Sequence, residues 1–254
     1  MTLLSLQGVT RQFGGLVAVD AIDLDVTDRG VTALIGPNGA GKTTLFNLIS
    51  GFQTPNAGRV VFAGEDITGR PPEAIAAAGL VRTFQLVQLF QSLSVLENVQ
   101  VGCHLHTNGG FWSALLRTRA TRQVEREVEK RARELLGFVG LEGATDMDAS
   151  ALAYGQQRLL EIARALAAQP KLLLLDEPAA GLSADESKRL STAIRAIAQR
   201  GTTVLLIEHD MNVVMNTADT IAVLDFGRKI AEGPPATVRE NPAVIAAYLG
   251  VGHA

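Results

Sequence analysis

Gly36-Pro37-Asn38-Gly39-Ala40-Gly41-Lys42-Thr43-Thr44 stands between the apolar run Val31-Thr32-Ala33-Leu34-Ile35 and the helix-like Leu45-Phe46-Asn47-Leu48-Ile49-Ser50. A strand, a glycine-rich loop and a helix in that order constrain this chain more than any other feature. The glycines let the backbone turn so that its N–H groups converge on one concave point, and the helix aims its positive dipole end at that point. The loop is therefore a cradle for an anion, read here as the phosphates of a nucleotide. Lys42 is placed to reach the β- and γ-phosphates as a mobile charge, and the Thr43 hydroxyl to ligate the Mg²⁺ that neutralises them.

At 254 residues and 47% hydrophobic content the chain can bury a full α/β core,. A net charge of −3 gives no overall pull toward nucleic acid, which is not expected as a partner,. The single Cys103 has no cysteine to pair with and fits a reducing compartment,. No apolar run approaches the roughly 18 residues needed to span a bilayer. Met1-Thr2-Leu3-Leu4-Ser5-Leu6 lacks the basic start and long apolar stretch of a secretion signal,. The expectation is a soluble chain that reaches a membrane only by docking onto another subunit.

From Leu4 to Ile35, short alternating apolar segments broken at Gly14-Gly15 and Asp28-Arg29-Gly30 predict antiparallel strands leading into the phosphate loop,. Arg59 to Gly64 adds one more strand. Between Ser94 and Val139 the period turns helical, and Leu115 to Glu134 carries seven basic against four acidic residues, a pattern read as a solvated helix face,. Leu172 to Leu175 and Val204 to Ile207 are continuous apolar runs separated by a helical stretch from Ala184 to Gln199, which predicts parallel strands covered on both faces,. Ile221 to Ala231 reads as a hairpin turning at Asp225-Phe226-Gly227, and Val244 to Leu249 as a short closing helix,. The predicted architecture is an α/β P-loop (RecA-like) NTPase core with a mainly parallel sheet, an N-terminal antiparallel β subdomain and an inserted α-helical subdomain. Its bounds are a single domain over 1–254, with 1–87 and 165–254 as the core and 88–164 as the helical part.

Leu172-Leu173-Leu174-Leu175-Asp176-Glu177-Pro178 sets two acids at the end of a buried strand, where open α/β sheets bind ligands,. Asp176 is placed to hold Mg²⁺ through its water shell, and Glu177 to orient and deprotonate the attacking water. Ahead of this strand, Leu152-Ala153-Tyr154-Gly155-Gln156-Gln157-Arg158 opens a helix that stops at Pro170, and a glycine at a helix start again exposes free N–H groups,.

With these residues the chain resembles the nucleotide-binding subunit of an ATP-binding-cassette transporter over nearly its whole length. The resemblance implies ATP and Mg²⁺ as ligands and assigns parts in order. Phe13 matches the aromatic that stacks on adenine, and Gly36, Pro37, Asn38, Gly39, Ala40, Gly41, Lys42, Thr43 and Thr44 match the Walker A loop. Gln85 in Arg82-Thr83-Phe84-Gln85 matches the glutamine that senses Mg²⁺ and water, and Asp176 and Glu177 match Walker B with its catalytic acid. Leu152, Ala153, Tyr154, Gly155 and Gln156 match the signature sequence, and His209 matches the histidine that contacts the γ-phosphate. Arg82 to Gln85, Leu89 to Val99, and the terminal Gly233-Pro234-Pro235 and Ala247 to Gly250 resemble the ATPase of branched-chain amino acid importers. Such systems pair two ATPases, here self or paralogue, head to tail with transmembrane permeases and an external solute-binding protein. The implied place is the cytoplasmic face of the inner membrane, held peripherally.

Two departures from the family pattern stand out. Ala153 occupies the position where the family usually has Ser, removing a hydrogen bond to charged phosphate of about 1.5–3 kcal/mol, although the Gly155 N–H remains. The loop after Walker B reads Ala180-Gly181-Leu182-Ser183 in place of Ser-Ala-Leu-Asp. The main rival is a soluble ATPase of the same class acting on nucleic acid or ribosomes. It predicts a second cassette, a long coiled coil or a zinc insertion, and these 254 residues contain none. A phosphoryl-transfer enzyme or GTPase would leave the Gly155 motif unexplained, and Asn-Lys-x-Asp is absent. His104 and His106 lack a third metal ligand. The apolar Leu86, Val87, Leu89 and Phe90 after Gln85 are expected to lie, in part, under a permease.

Overall fold

The computed structural model describes residues 1–103 and 119–249. Thr2–Phe13 (β1) and Leu16–Thr27 (β2) pair antiparallel and bury roughly alternate positions, as strands with one wet face do. Ala57–Phe62 (β4) and Glu65–Asp66 (β5) extend them into a sheet of order β2-β1-β4-β5. Val31–Ile35 (β3), lying between these in the chain, leaves that sheet and is buried at all five positions.

β3 instead joins Leu80–Arg82 (β6), Leu172–Asp176 (β7), Thr203–Ile207 (β8), Thr220–Asp225 (β9) and Arg228–Gly233 (β10) in a sheet of order β10-β9-β3-β8-β7-β6. Pairing is parallel from β9 to β6, and the edge pair β9–β10 is the predicted hairpin. The antiparallel reading of Leu4 to Ile35 therefore holds for β1 and β2 and fails for β3. A strand without alternation has no solvent face to offer and belongs at the centre of a covered sheet.

Lys42–Ile49 (α1) and Pro72–Ala77 (α2) follow β3 and β5. Leu34, Ala222 and Leu224 point into one core with the buried faces of β1, β2 and α1. Their neighbours Ala33, Ile35, Ile221 and Val223 point the opposite way and pack with Val214, Val238 and Val244. This is the period-2 alternation of strands clad on both sides.

Helices Val95–Cys103 (α3), Arg119–Val139 (α4) and Tyr154–Ala167 (α5) form a second core from Val95, Val99, Ala132, Leu136 and Leu160. Ser94 starts α3 with a capping box: its N–H donates to Glu97 Oε2 at 2.8 Å and its Oγ accepts the Glu97 N–H at 3.2 Å,. Arg133 meets Glu129 at 2.9 Å on an exposed face of α4, consistent with a solvated basic stretch. The His104 and His106 pair lies outside the described residues. Cys103 is buried, and burial pushes its thiol pKa up.

Ala184–Gln199 (α6), Met211–Thr217 (α7), Pro235–Arg239 (α8) and Pro242–Leu249 (α9) complete the elements. The chain divides into a core unit, Met1–Arg82 with the described residues from Lys171 on, and a helical unit, Thr83–Pro170. Among the described residues no helix is long and apolar enough to cross a membrane.

Candidate nucleotide site

Because β3, β8, β7 and β6 are parallel, their C-terminal ends share one edge of the sheet. Leu34 pairs with Ile207, Ile207 with Asp176, and Leu174 with Arg82. Ligands of open α/β sheets sit at this edge. The loop from Gly36 to Gly41 starts there and needs glycine for two separate reasons. At Gly36 a Cβ would lie 2.1 Å from the Leu224 carbonyl, and at Gly41, with φ +98°, 2.4 Å from the Ala18 carbonyl. The loop is thus backed by main chain on its outer side. The first intrahelical bond of α1 runs from the Leu45 N–H to the Gly41 carbonyl at 2.9 Å, and Gly41 provides no side-chain cap. The amides of Lys42, Thr43 and Thr44 therefore have no partner within the helix, which is the anion-binding end.

Lys42 is buried and donates to the Gly36 and Pro37 carbonyls at 2.8 and 2.9 Å. Burial lowers its pKa, while the carboxylates of Glu177 and Asp176 pull the other way. Asp176 is buried too, and its Oδ2 accepts from Arg82 Nη2 at 2.8 Å. Arg82 also donates to Asn47 Oδ1 at 2.8 Å and Ser50 Oγ at 3.0 Å, both on the loop's own helix or its end.

Glu177 has φ +46°, a left-handed conformation that a non-glycine residue adopts at a cost of about 1–3 kcal/mol,. Its N–H donates to the Ile207 carbonyl at 3.0 Å, which ties the turn to β8. His209 Nδ1 stands 3.8 Å from Glu177 Oε2. Beneath them Glu208, fully buried, accepts the N–H groups of Ala179, His209 and Asp210 at 2.7, 3.1 and 3.4 Å. Burial raises its pKa against the pull of those bonds. Ser183 caps α6, its Oγ accepting the Glu186 N–H at 3.4 Å and its N–H donating to Glu186 Oε2 at 2.9 Å.

Phe13 ends β1, and the Arg11 guanidinium lies 4.7 Å from its ring centroid. In the helical unit, Ala153 sits at the N-cap of α5 and gives its N–H to Gln156 Oε1 at 3.1 Å. Having no side-chain acceptor, Ala153 makes only half of a capping box. Tyr154 and Gln156 are exposed and Gly155 is buried. The main-chain carbonyl of Gln85 accepts a hydrogen bond from Arg158.

Residues 19–180 match the model of the ABC transporter family, and residues 228–254 match that of the branched-chain amino acid ATP-binding cassette transporter. The chain belongs to the ABC transporter family. This cassette is 46% identical over 98% of both chains to the high-affinity branched-chain amino acid transport ATP-binding protein BraF of Pseudomonas aeruginosa. It is 45% identical, again over 98% of each chain, to LivG of Escherichia coli, which carries the same description. The ADP conformation of a solved cassette of an ABC transporter superposes with TM-score 0.86 at 35% identity, over 98% of this chain and 99% of that one. The cassette is an ATPase of this family with the P-loop NTPase fold, and the nucleotide-loaded neighbour accords with a nucleotide site here.

The core unit thus gathers Gly36 to Thr44, Asp176, Glu177 and His209 along or beside one sheet edge, and the helical unit carries Gln85 and Ala153 to Gln156. Sequence reasoning passed over three residues that hold these in place. Arg82 is one, and a basic residue next to a covered strand end signals a buried counter-charge. Glu208 was readable in the same way, as an acid straight after the apolar Val204 to Ile207. Arg11 left no signal of its own.

Proposed function

We propose that the cassette binds and hydrolyses ATP to drive uptake of branched-chain amino acids through partner permeases, as one of two ATPases clamped head to tail. The observation that carries the hydrolytic part is Glu177, held in a costly backbone conformation next to Lys42, Asp176 and His209. Such strain persists where the surroundings enforce it, commonly at reacting centres. The solute reading rests on the curated relatives named above, and the paired arrangement on the family, which includes a solved dimeric cassette matching this chain at TM-score 0.76 and 25% identity.

The donor set suits the expected ligands. Lys42 holds two loop carbonyls that phosphate oxygens would replace as its partners. Thr43, Asp176 and Gln85 supply only oxygen atoms, the donors preferred by Mg²⁺. Mg²⁺ would neutralise charge developing on the phosphates. The loop amides of Gly39 to Thr44 and Lys42 would hold the phosphates, and Phe13 would stack on adenine. Glu177 would take the proton from water at its carboxylate, with His209 steadying the γ-phosphate and Gln85 orienting the water. Ala153, Tyr154, Gly155 and Gln156 would close over the γ-phosphate bound to the partner subunit, with the α5 amides as donors. The external solute-binding protein would deliver solute, and the subunit would sit at the cytoplasmic face of the inner membrane.

Glu177→Gln keeps the shape and removes the base. We expect ATP turnover to fall by about 10²–10⁴-fold with ATP affinity retained, and labelled leucine uptake to return to a strain lacking the gene only with the wild-type chain. Near-normal turnover in the variant would overturn the catalytic assignment, and leucine uptake indifferent to the gene would overturn the solute.

A further inference from the structure

Arg158, on α5, is only 2% exposed, as deeply buried as the apolar core around it. Its donors fall into two sets. Toward its own helix, Nη2 donates to the Tyr154 hydroxyl at 3.1 Å and Nη1 to Glu161 Oε2 at 3.3 Å. Toward a segment more than 70 residues earlier, Nη1 donates to the Phe84 carbonyl at 3.0 Å and Nη2 to the Gln85 carbonyl. Both of these acceptors are main chain, so Arg158 holds the path of the loop whatever its side chains are. Two bonds from one planar guanidinium to consecutive carbonyls fix orientation as well as distance. Glu161 reaches the same segment, with Oε1 3.5 Å from the Gln88 N–H.

We infer that Arg158 is a positioning residue that fastens the Phe84–Gln85 main chain to α5, so that a displacement of Gln85 is delivered to the helix start at Tyr154 to Gln156. The inference rests on the proposed roles of Gln85 and of that helix start, and assigns the physical link between them. A purely structural Arg158 would support the whole helical unit evenly. A link loosens one loop and uncouples one step.

The sharpest variant is Arg158→Lys, which keeps a positive charge for Glu161 but replaces the planar fork by a compact ammonium on a shorter stem, which cannot reproduce the directed pair of bonds to two consecutive carbonyls together with those to Tyr154 and Glu161. A second, Arg158→Met with Glu161→Met, removes fork and counter-charge together, so that Glu161 is not left buried without Arg158, and leaves the half-buried Arg164 without the attraction of Glu161,. Each is made in the full chain, alone and with Glu177→Gln. We expect amide hydrogen exchange over Phe84 to Gln88 to quicken at least tenfold in both variants while β7 and β8 exchange as in the parent. ATP affinity of the isolated chain should stay within twofold, and ATP-driven association of the Glu177→Gln protein should weaken at least tenfold. Parental exchange at Phe84 to Gln88 in either folded variant, parental association, or exchange that quickens equally along α3 and α4, overturns the inference. If the Glu177→Gln parent itself does not associate with ATP, the paired reading fails, and the exchange measurement alone judges the link.

Discussion

Arg82 in the core unit and Arg158 in the helical unit are both buried against a carboxylate, at 2.8 and 3.3 Å, but they tie down different things. Arg82 bonds to side chains: Asp176 at the end of β7, Asn47 on α1 and Ser50 just after it. It joins the acidic strand end to the helix of the phosphate loop, and each of these three bonds depends on the partner's identity. Arg158 makes two of its four hydrogen bonds to main-chain carbonyls and so constrains a loop of almost any sequence. The chemistry explains the division. On the proposed reading, groups that meet phosphate and Mg²⁺ need individual atoms placed within a few tenths of an ångström, whereas a segment that moves as one piece needs its backbone held.

The largest expected effect separates the two ties. Arg82→Met leaves the buried Asp176 carboxylate without the cation bonded to it, with Lys42 as the remaining positive charge nearby, and breaking a buried pair in this way costs about 3–5 kcal/mol,. For a chain of this size that is a fall of roughly 10 °C in thermal midpoint. Adding Asp176→Leu should restore most of the midpoint without restoring ATP turnover. Replacing the Arg158 pair by two methionines should cost less stability, because its two charges leave together and only the half-buried Arg164 loses the attraction of Glu161,. If Arg82→Met melts with the parent, or if the methionine pair in the helical unit melts as low as Arg82→Met, the contrast between the ties is wrong.

The same contrast explains which parts could be read in advance. Continuous burial marked β7 and β8, alternation marked β1 and β2, and the glycine spacing of Gly36 to Gly41 announced the tight turn from β3 into α1, because each is written in residue types. β3 was misplaced among antiparallel strands because five residues show no period of their own and the alternation before them was extended over it. The Arg82 tie left traces, with Asn47 and Ser50 interrupting an apolar helix, but its target could be known only once register brought Leu174 beside Arg82. The Arg158 tie left none, because carbonyls look alike at every position. The +46° φ of Glu177 was likewise invisible, since it is imposed by the turn between β7 and its neighbours.

A second contrast lies within the segment after Gln85. Leu86 and Phe90 are 77% and 48% exposed, whereas Leu89 packs against the helical core. Asn98, fully buried, holds the turn by accepting from the Phe90 N–H and donating to the carbonyls of Phe90, Leu93 and Ser94. Pairing Leu89→Asp with Phe90→Asp would therefore mix a core defect with a surface change. Leu86→Asp with Phe90→Asp is the cleaner test of permease docking. We expect a folded chain with parental ATP affinity and at least tenfold weaker recruitment to membranes bearing its own permeases. Leu89→Asp alone should instead lower the melting temperature. Full recruitment of the Leu86 and Phe90 double variant would remove this face from the interface.

The smallest expected effect concerns Ala153, where local helix chemistry and the proposed site make separable demands. Gln156 already accepts the Ala153 N–H, and a serine hydroxyl could accept the Gln156 N–H in return, completing the capping box,. An alanine at this position forgoes about 1 kcal/mol of helix stability, so Ala153→Ser should raise the melting temperature of the isolated chain by a few degrees, with or without nucleotide. If α5 also faces the γ-phosphate bound to a partner, the hydroxyl adds a second gain, seen as tighter ATP-driven association in the Glu177→Gln background and up to about 1 kcal/mol in size. A hydroxyl committed to the Gln156 N–H can still donate its own proton to phosphate, so the two gains need not compete. Raised stability with unchanged association would leave Ala153 as a helix cap alone and place the phosphate contact on the Gly155 amide. Tighter association without added stability would mean that the hydroxyl turns away from the helix and serves only the shared site.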